Sequence, residues 1–261
     1  MPARGRTAQF LVRRNGGGRS PDRVIVEEPL EVRLDDHLVT TTMRTPGHDY
    51  ELAAGFLHGE GLLAGARVRQ VRYCATGSAV ETEFNVVSVD TGGAAPVPAA
   101  RLAPTMSSCG LCGSQSVEQL AARLEPLAVP APVEPAVLAG VAAGVRAQQE
   151  LFDATGSVHA AAAFDPATGD VLVVREDIGR HNAVDKVVGR LLLDDRLPAS
   201  GLGLFVSGRA SFEMVQKAWA AGFGLVAAVS GPSSLAVDAA RSANLALVGF
   251  LRGESMTVYA P

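Results

Sequence analysis

Two cysteines separated by two residues, Cys109 and Cys112, are the side chains of this sequence best suited to chemistry. The thiolate is the species that attacks, binds metal or carries sulfur, and an ordinary thiol of pKa ~8.5 is only ~3% ionised at pH 7. At a helix N-terminus the pKa falls toward ~7, and about half of the thiol is then ionised. The run Ser107-Ser108-Cys109-Gly110-Leu111-Cys112-Gly113 precedes a short helix in which Ser116 and Gln119 can form a capping box. Gly110 and Gly113 remove bulk beside the sulfurs and admit a large partner. Sulfur or redox chemistry is the expectation. Zinc is the competitor, but a closed site needs four donors, and Cys74 is the one remaining thiol. Cys74 itself reads as a core residue of a predicted strand. His159 is followed by Ala160 and Ala161, where metal-activated deamination would require a glutamate.

A second set of candidates lies further along. Four polar loops follow four predicted strands: Glu176 to His181, Ser207 to Ser211, Ser230 to Ser234, and Arg252 to Ser255. In an α/β sheet, ligands bind beyond the carboxyl ends of the strands. Two of these loops open directly into helices, whose free N–H groups and positive dipole ends favour phosphate, and Arg180, Arg209 and Arg252 can supply bidentate counter-charge. A phosphate-bearing ligand on this edge is therefore expected. None of the loops is a P-loop or a dinucleotide fingerprint, so the ATPase and NAD-enzyme classes lack support. His181 has no partner visible in sequence and reads more readily as a hydrogen-bonding residue than as a general base.

The elements that must position these groups can be read from periodicity. Glu31–Leu34 and Leu38–Met43 flank Asp35, Asp36 and His37 as a hairpin, and Leu52, Ala53, Phe56 and Leu57 give an amphipathic helix from Asp49 to Gly59. With strands at Val68–Cys74 and Phe84–Val89, residues 21–104 form a small α+β unit. The Gly/Ala/Pro-rich run 91–104 and the Pro-rich run 126–135 make 105–134 a mobile Cys-x-x-Cys segment and linker, while residues 1–20 are expected to be loosely ordered. Residues 135–261 form an α/β core. A helical stripe from Val137 to Phe152 comes first, then strands on either side of Asp165-Pro166-Ala167-Thr168-Gly169 and a helix at Asn182–Leu193. A βαβαβ series follows, its helices Phe212–Ala221 and Leu235–Ala243 stopped by Gly222 and Asn244. Right-handed crossovers predict a mostly parallel sheet.

Charge and hydropathy exclude broad classes. With 23 Lys+Arg against 27 Asp+Glu, the net charge of -4 gives no general attraction to nucleic acid or to an anionic membrane. No apolar run is long enough to span a bilayer, and the Arg-rich N-terminus lacks the core of a secretory signal. Three cysteines are too few for a stapled extracellular scaffold, so a cytoplasmic protein is expected.

Several motifs together resemble the FdhD family. They are Arg44-Thr45-Pro46-Gly47 with Glu51 to Leu57, the Ser-Ser-Cys-Gly-Leu-Cys-Gly loop, Asp177 to Lys186, Ser207-Gly208-Arg209 through Lys217, and Asn244 to Phe250. They occur in the family's order over most of the chain. The resemblance implies a sulfurtransferase needed for active formate dehydrogenase, which accepts sulfur from a cysteine desulfurase as a persulfide. Cys109 would be the carrier, Cys112 the assisting thiol, and the molybdenum bis-molybdopterin guanine dinucleotide cofactor the client, with none permanently bound. Phe250, Leu251, Arg252, Gly253, Glu254 and Ser255 match the family's cofactor-binding stretch, to which the edge argument adds Arg180, His181, Ser207 and Arg209. Glu254 places a negative charge near the expected phosphates. The resemblance further implies a homodimer, the formate dehydrogenase apoenzyme as partner, and a cytidine deaminase-like α/β/α core without its zinc machinery. Two other readings of the cysteines stay open. A thiol-disulfide oxidoreductase is one, although the pair lacks the preceding strand of a thioredoxin-like unit. A non-catalytic cofactor-binding chaperone is the other.

Overall fold

Alternating apolar residues fold the first part of the chain into a small sheet. The computed structural model describes residues 5–73, 79–80, 82–98, 117–118 and 120–261. Strands β1 (Thr7–Arg13) and β2 (Arg19–Ile25) pair antiparallel as a separate ribbon. This corrects the expectation of a loosely ordered N-terminus: the glycines at 16–18 serve as the turn, with Gly17 N donating to Arg14 O, and the two strands satisfy one another's backbone. Strands β3 (Glu28–Leu34) and β4 (His37–Arg44) form the expected hairpin. Asp35 and Asp36 take left-handed backbone, φ 46° and 64°, as a two-residue turn matched to strand twist requires. Helix α1 (Asp49–Gly59) packs on the four-stranded sheet β4-β3-β6-β5, completed by β5 (Gln70–Tyr73) and β6 (Val86–Asp90). Leu30, Val32, Leu52, Leu57, Val87 and Val89 close its core.

Helices α2 (Pro135–Arg146) and α3 (Glu150–Thr155) lead into a six-stranded sheet of order β12-β11-β10-β9-β7-β8. Its strands are β7 (His159–Phe164), β8 (Val171–Asp177), β9 (Gly203–Val206), β10 (Leu225–Ala228), β11 (Ala246–Arg252) and β12 (Ser255–Ala260). Helices α4 (Arg180–Leu193), α5 (Phe212–Ala221) and α6 (Ser234–Ala243) cover one face. The alternation of β7 separates the two faces. Ala161 and Ala163 point to α4, α5 and α6, while Ala160, Ala162 and Phe164 meet Leu138, Val141 and Val145 of α2. The fold is α/β, with helices on both sides of this sheet. α5 and α6 end where expected, at Gly222 (φ 83°) and Asn244 (φ 55°), both left-handed.

The expected mostly parallel sheet is corrected to a mixed one. β9–β10 and β10–β11 pair parallel, but β7–β8, β7–β9 and β11–β12 are antiparallel. A short turn at Asp165–Asp170 joins β7 to β8, and Gly253-Glu254 joins β11 to β12; neither is long enough to return the chain for a parallel pairing. Residues 120–127 also differ from the loose linker expected around them. Leu120 is buried, Trp219 Nε1 donates to Glu125 O at 2.8 Å, and Leu127 N donates to Ala243 O at 2.8 Å. Among the described residues no helix is long and apolar enough to cross a membrane.

The two parts of the chain meet through α1 and α4. Gly55 and Gly189 bring the two backbones together so closely that a Cβ on Gly55 would lie 1.9 Å from Asp185 O, and one on Gly189 1.8 Å from Glu51 O.

Candidate functional site

β8, β9, β10 and β11 all run in one direction, because β8 and β9 are each antiparallel to the β7 between them. Their carboxyl ends therefore share one edge, and the loops at Ile178–His181, Ser207–Ser211 and Ser230–Ser233 gather there. The middle two are zipped together: Ala210 bridges Pro232, Ser230 N donates to Gly208 O, and Ser233 N donates to Ala210 O. Ser233 is an ordinary cap, its Oγ accepting from Ala236 N at 3.2 Å. β11 continues beyond this edge. Arg252, Gly253, Glu254 and Ser255 form an exposed hairpin turn rather than a loop into a helix, and Leu251 is buried in the core on the α2 face. Phe250, half-exposed with φ 53°, lays its ring over Gly231, where a Cβ would come within 2.6 Å of it.

Arg180 and His181 open α4, and one carboxylate sets their position. Asp177 is fully buried and accepts four hydrogen bonds: from Thr45 N at 3.1 Å, Lys186 Nζ at 2.7 Å, Gly179 N at 2.8 Å and Asn182 Nδ2 at 3.0 Å. Ile178 N donates in turn to Thr45 Oγ1 at 3.1 Å, and Lys186 Nζ to Thr45 O at 3.0 Å. The preceding Arg44 is buried and forks onto Asp49 at 3.0 and 3.1 Å. The loop between β4 and α1 is thereby locked to the loop that carries Arg180 and His181.

At this edge two donors have nothing to bind. Arg180 Nε and Ser211 Oγ are buried atoms without a hydrogen-bond partner, and Ser211 holds the N-cap position of α5 without using its side chain there. Buried polar groups are almost always paired, so such a cluster is suited to a polar ligand. Gly208 leaves the space open: a Cβ there would meet His159 Nδ1 at 3.5 Å and Arg180 Cδ at 3.6 Å. Burial first, then the charges of Arg180 and His181, push His159 below the ordinary imidazole range and favour its neutral form. His181 Nε2 stands 2.6 Å from Glu213 Oε2 as an ion pair. Contact with His181 holds Glu213 below the usual carboxylate range.

One helical turn below, Lys217 Nζ lies 2.7 Å from Asp185 Oδ1, both groups buried. Burial pushes Asp185 up to about 6. Burial also works against the Lys217 ammonium, but the carboxylates of Asp185 and Glu60 outweigh it and hold Lys217 above the ordinary lysine range. The pair is charged at neutral pH. His181 with Glu213, then Asp185 with Lys217, thus form a ladder between α4 and α5 that runs inward from the edge.

The sequence profile of the FdhD/NarQ family matches residues 25–261. The chain belongs to this family. A protein of Streptomyces coelicolor named sulfur carrier protein FdhD is 51% identical over 92% of this chain and 88% of its own length. One of Mycobacterium tuberculosis with the same name is 47% identical over 92% of this chain and 90% of its own. Among solved structures, a protein of Desulfotalea psychrophila assigned as a formate dehydrogenase accessory protein matches with a TM-score of 0.74 and 26% identity, over 98% of this chain and 96% of that one.

In this FdhD-family chain the structure gathers Arg180, His181 and Ser207 around the strand ends, with Arg209 exposed on the same loop as Ser207. It does not bring the Arg252–Ser255 turn into contact with them among the hydrogen bonds and ion pairs of the described residues. Cys109, Cys112, Cys74, Ser116 and Gln119 lie outside the described residues. Sequence reasoning held Ser211 within a candidate loop and Glu213 and Lys217 within a matching motif, but gave none of the three a role at the site. A usable signal existed: Glu213 and Lys217 stand four apart on α5, as His181 and Asp185 do on α4.

Proposed function

We propose that the chain is a sulfur carrier that supports formate dehydrogenase, with Cys109 as the carrying thiol and Cys112 as its assistant. The observation that carries this is the 51% identity over 92% of the chain to a sulfur carrier protein FdhD, in a sequence holding a Cys-x-x-Cys pair. In the finer reading a cytoplasmic cysteine desulfurase is the donor and the molybdenum guanine dinucleotide cofactor is the substrate. The Cys109 thiolate attacks the outer sulfur of the donor's persulfide; that S–S bond breaks, the donor thiolate leaves, and Cys109 becomes a persulfide. Attack of the Cys112 thiolate on the inner sulfur then forms a Cys109–Cys112 disulfide and releases hydrosulfide toward the cofactor, the two thiols supplying the electrons. The unpaired donors at Arg180 and Ser211 support an anionic substrate at the strand ends.

Mass spectrometry after incubation with a desulfurase and cysteine should find one added sulfur on the 105–123 peptide, absent in Cys109→Ala. Cys109→Ala should abolish formate dehydrogenase activation in cells while keeping cofactor binding. A variant that activates as well as the parent would leave a non-catalytic chaperone as the better account.

A further inference from the structure

The β1–β2 ribbon belongs to neither of the larger sheets, and a two-stranded ribbon is marginally stable in water unless something covers it. Cross-strand register sorts its side chains onto two faces. One face, with Ala8, Val12, Ser20 and Asp22, is partly buried, and α3 packs beside β2. On the other face Leu11 stands opposite Pro21, and both are exposed, Leu11 by 71%. This apolar knob sits between the cross-strand pairs Gln9–Arg23 and Arg13–Arg19. Arg14 reaches Asp22 at 3.3 Å, whereas Arg13, Arg19 and Arg23 make no ion pair among the described residues. All of the ribbon but Ile25 precedes residues 25–261, which the family profile matches.

A groove of about 510 Å³ lies at the amino edge of the six-stranded sheet, bounded by the β7–β8 turn and by the residues just ahead of β9 and β10. Leu127, Pro130, Val133, Leu202 and Leu225 make it apolar, and Asp165 is the one charged residue in its lining among the described residues. Glu125 and Glu134, both exposed, flank the run 127–133 that forms one side. The ribbon of the same chain lies elsewhere. Its neighbour α3 leads into His159 of β7, which pairs with Asp177 at the carboxyl end of β8, so ribbon and groove occupy opposite edges of the sheet.

Charge decides what the ribbon meets instead. Residues 1–26 hold six arginines and one aspartate, while the rest of the chain holds 17 basic against 26 acidic residues, a net -9. An anionic bilayer would repel that body, whereas the body of another copy attracts the ribbon. We infer that the β1–β2 ribbon of one copy docks in the amino-edge groove of a second copy of this chain. Leu11 and Pro21 enter the apolar floor, and Arg13, Arg19 and Arg23 meet the acidic rim of Glu125, Glu134 and Asp165. An apolar centre within a polar rim is the usual build of a specific interface. Two such contacts about a two-fold axis close a dimer. The inference goes beyond the carrier reading and does not depend on it.

Sedimentation velocity of the full chain over a range of concentrations tests it. The parent should dimerise, and added salt should weaken the dimer by screening the rim. Leu11→Glu on the ribbon and Ala167→Arg at the groove should each weaken dimerisation about tenfold or more. Circular dichroism should stay unchanged in both, since both side chains are exposed. The two variants mixed should associate again, because one contact of the mixed pair then joins an intact ribbon to an intact groove and the other sets opposite charges together. The inference is overturned if the parent stays monomeric, if either variant dimerises like the parent, or if the mixture stays dissociated. Cosedimentation of the parent with phosphatidylglycerol vesicles, lost in Leu11→Glu, would give the ribbon to a lipid surface and overturn it as well.

Discussion

Glu51 illustrates how single ion pairs set the tolerance of this protein to acid. Its carboxylate receives Arg175 through Nε at 2.6 Å and Nη2 at 2.8 Å. Burial alone would raise its pKa, but the Arg175 fork and His48 outweigh it and bring the group to about 2 from an ordinary 4.5. The folded value is the lower one, so the stabilisation is complete above the unfolded pKa and fades as pH falls from about 4.5 toward 2. At one pKa unit per 1.36 kcal/mol the group contributes about 3 kcal/mol at most, and about 2 kcal/mol once screening by water is allowed for. Urea unfolding across pH 2 to 7 should therefore show Glu51→Gln less stable at neutral pH, with a shallower decline in acid. An equal decline in variant and parent would place the acid-sensitive group elsewhere.

At the scale of elements, the crossing of α1 and α4 is the most demanding contact. With Cβ positions 1.9 and 1.8 Å from opposing carbonyl oxygens, neither Gly55 nor Gly189 can carry a side chain unless the helices separate. Gly55→Ala should cost about 3 kcal/mol or more, read from chemical denaturation, whereas Gly140→Ala in α2, where a Cβ meets nothing within 4 Å, should be neutral or slightly stabilising. Similar losses at both positions would mean that helix propensity, not the crossing, decides. Elements with local signals were legible in the sequence: the β3–β4 hairpin through Asp35-Asp36, α1 through its apolar face, α5 and α6 through the residues that end them. The β1–β2 ribbon was not, since its glycines and arginines resemble those of a disordered tail until the strands pair. Nor was β12, whose pairing depends on a two-residue turn at Gly253-Glu254. The strand-end loops could be placed on one edge from strand order alone. The four-residue spacing of Glu213 with Lys217, and of His181 with Asp185, signalled two matching stripes, but which helix faced which depended on packing across a long sequence separation.

For the whole molecule, these contacts argue against two independent halves. Leu192 of α4 packs into the core of the N-terminal sheet, Arg175 of β8 holds Glu51 of α1, and Asp177 holds the backbone of Thr45. Each tie is buried or nearly so, and each would be broken if residues 28–90 unfolded while the six-stranded sheet remained. Asp177 would then lose the Thr45 amide and Lys186 the Thr45 carbonyl, leaving a buried ion pair stripped of two of its hydrogen bonds. Heat unfolding of the full chain should accordingly be a single calorimetric transition, with van't Hoff and calorimetric enthalpies equal. Asp177→Ala should lower its midpoint and spread it into two steps, the smaller sheet melting first, because the carboxylate shared by both parts is gone. Two separate transitions in the parent protein would show that the halves fold on their own, and the loop bearing Arg180 and His181 would then owe its position to the six-stranded sheet alone.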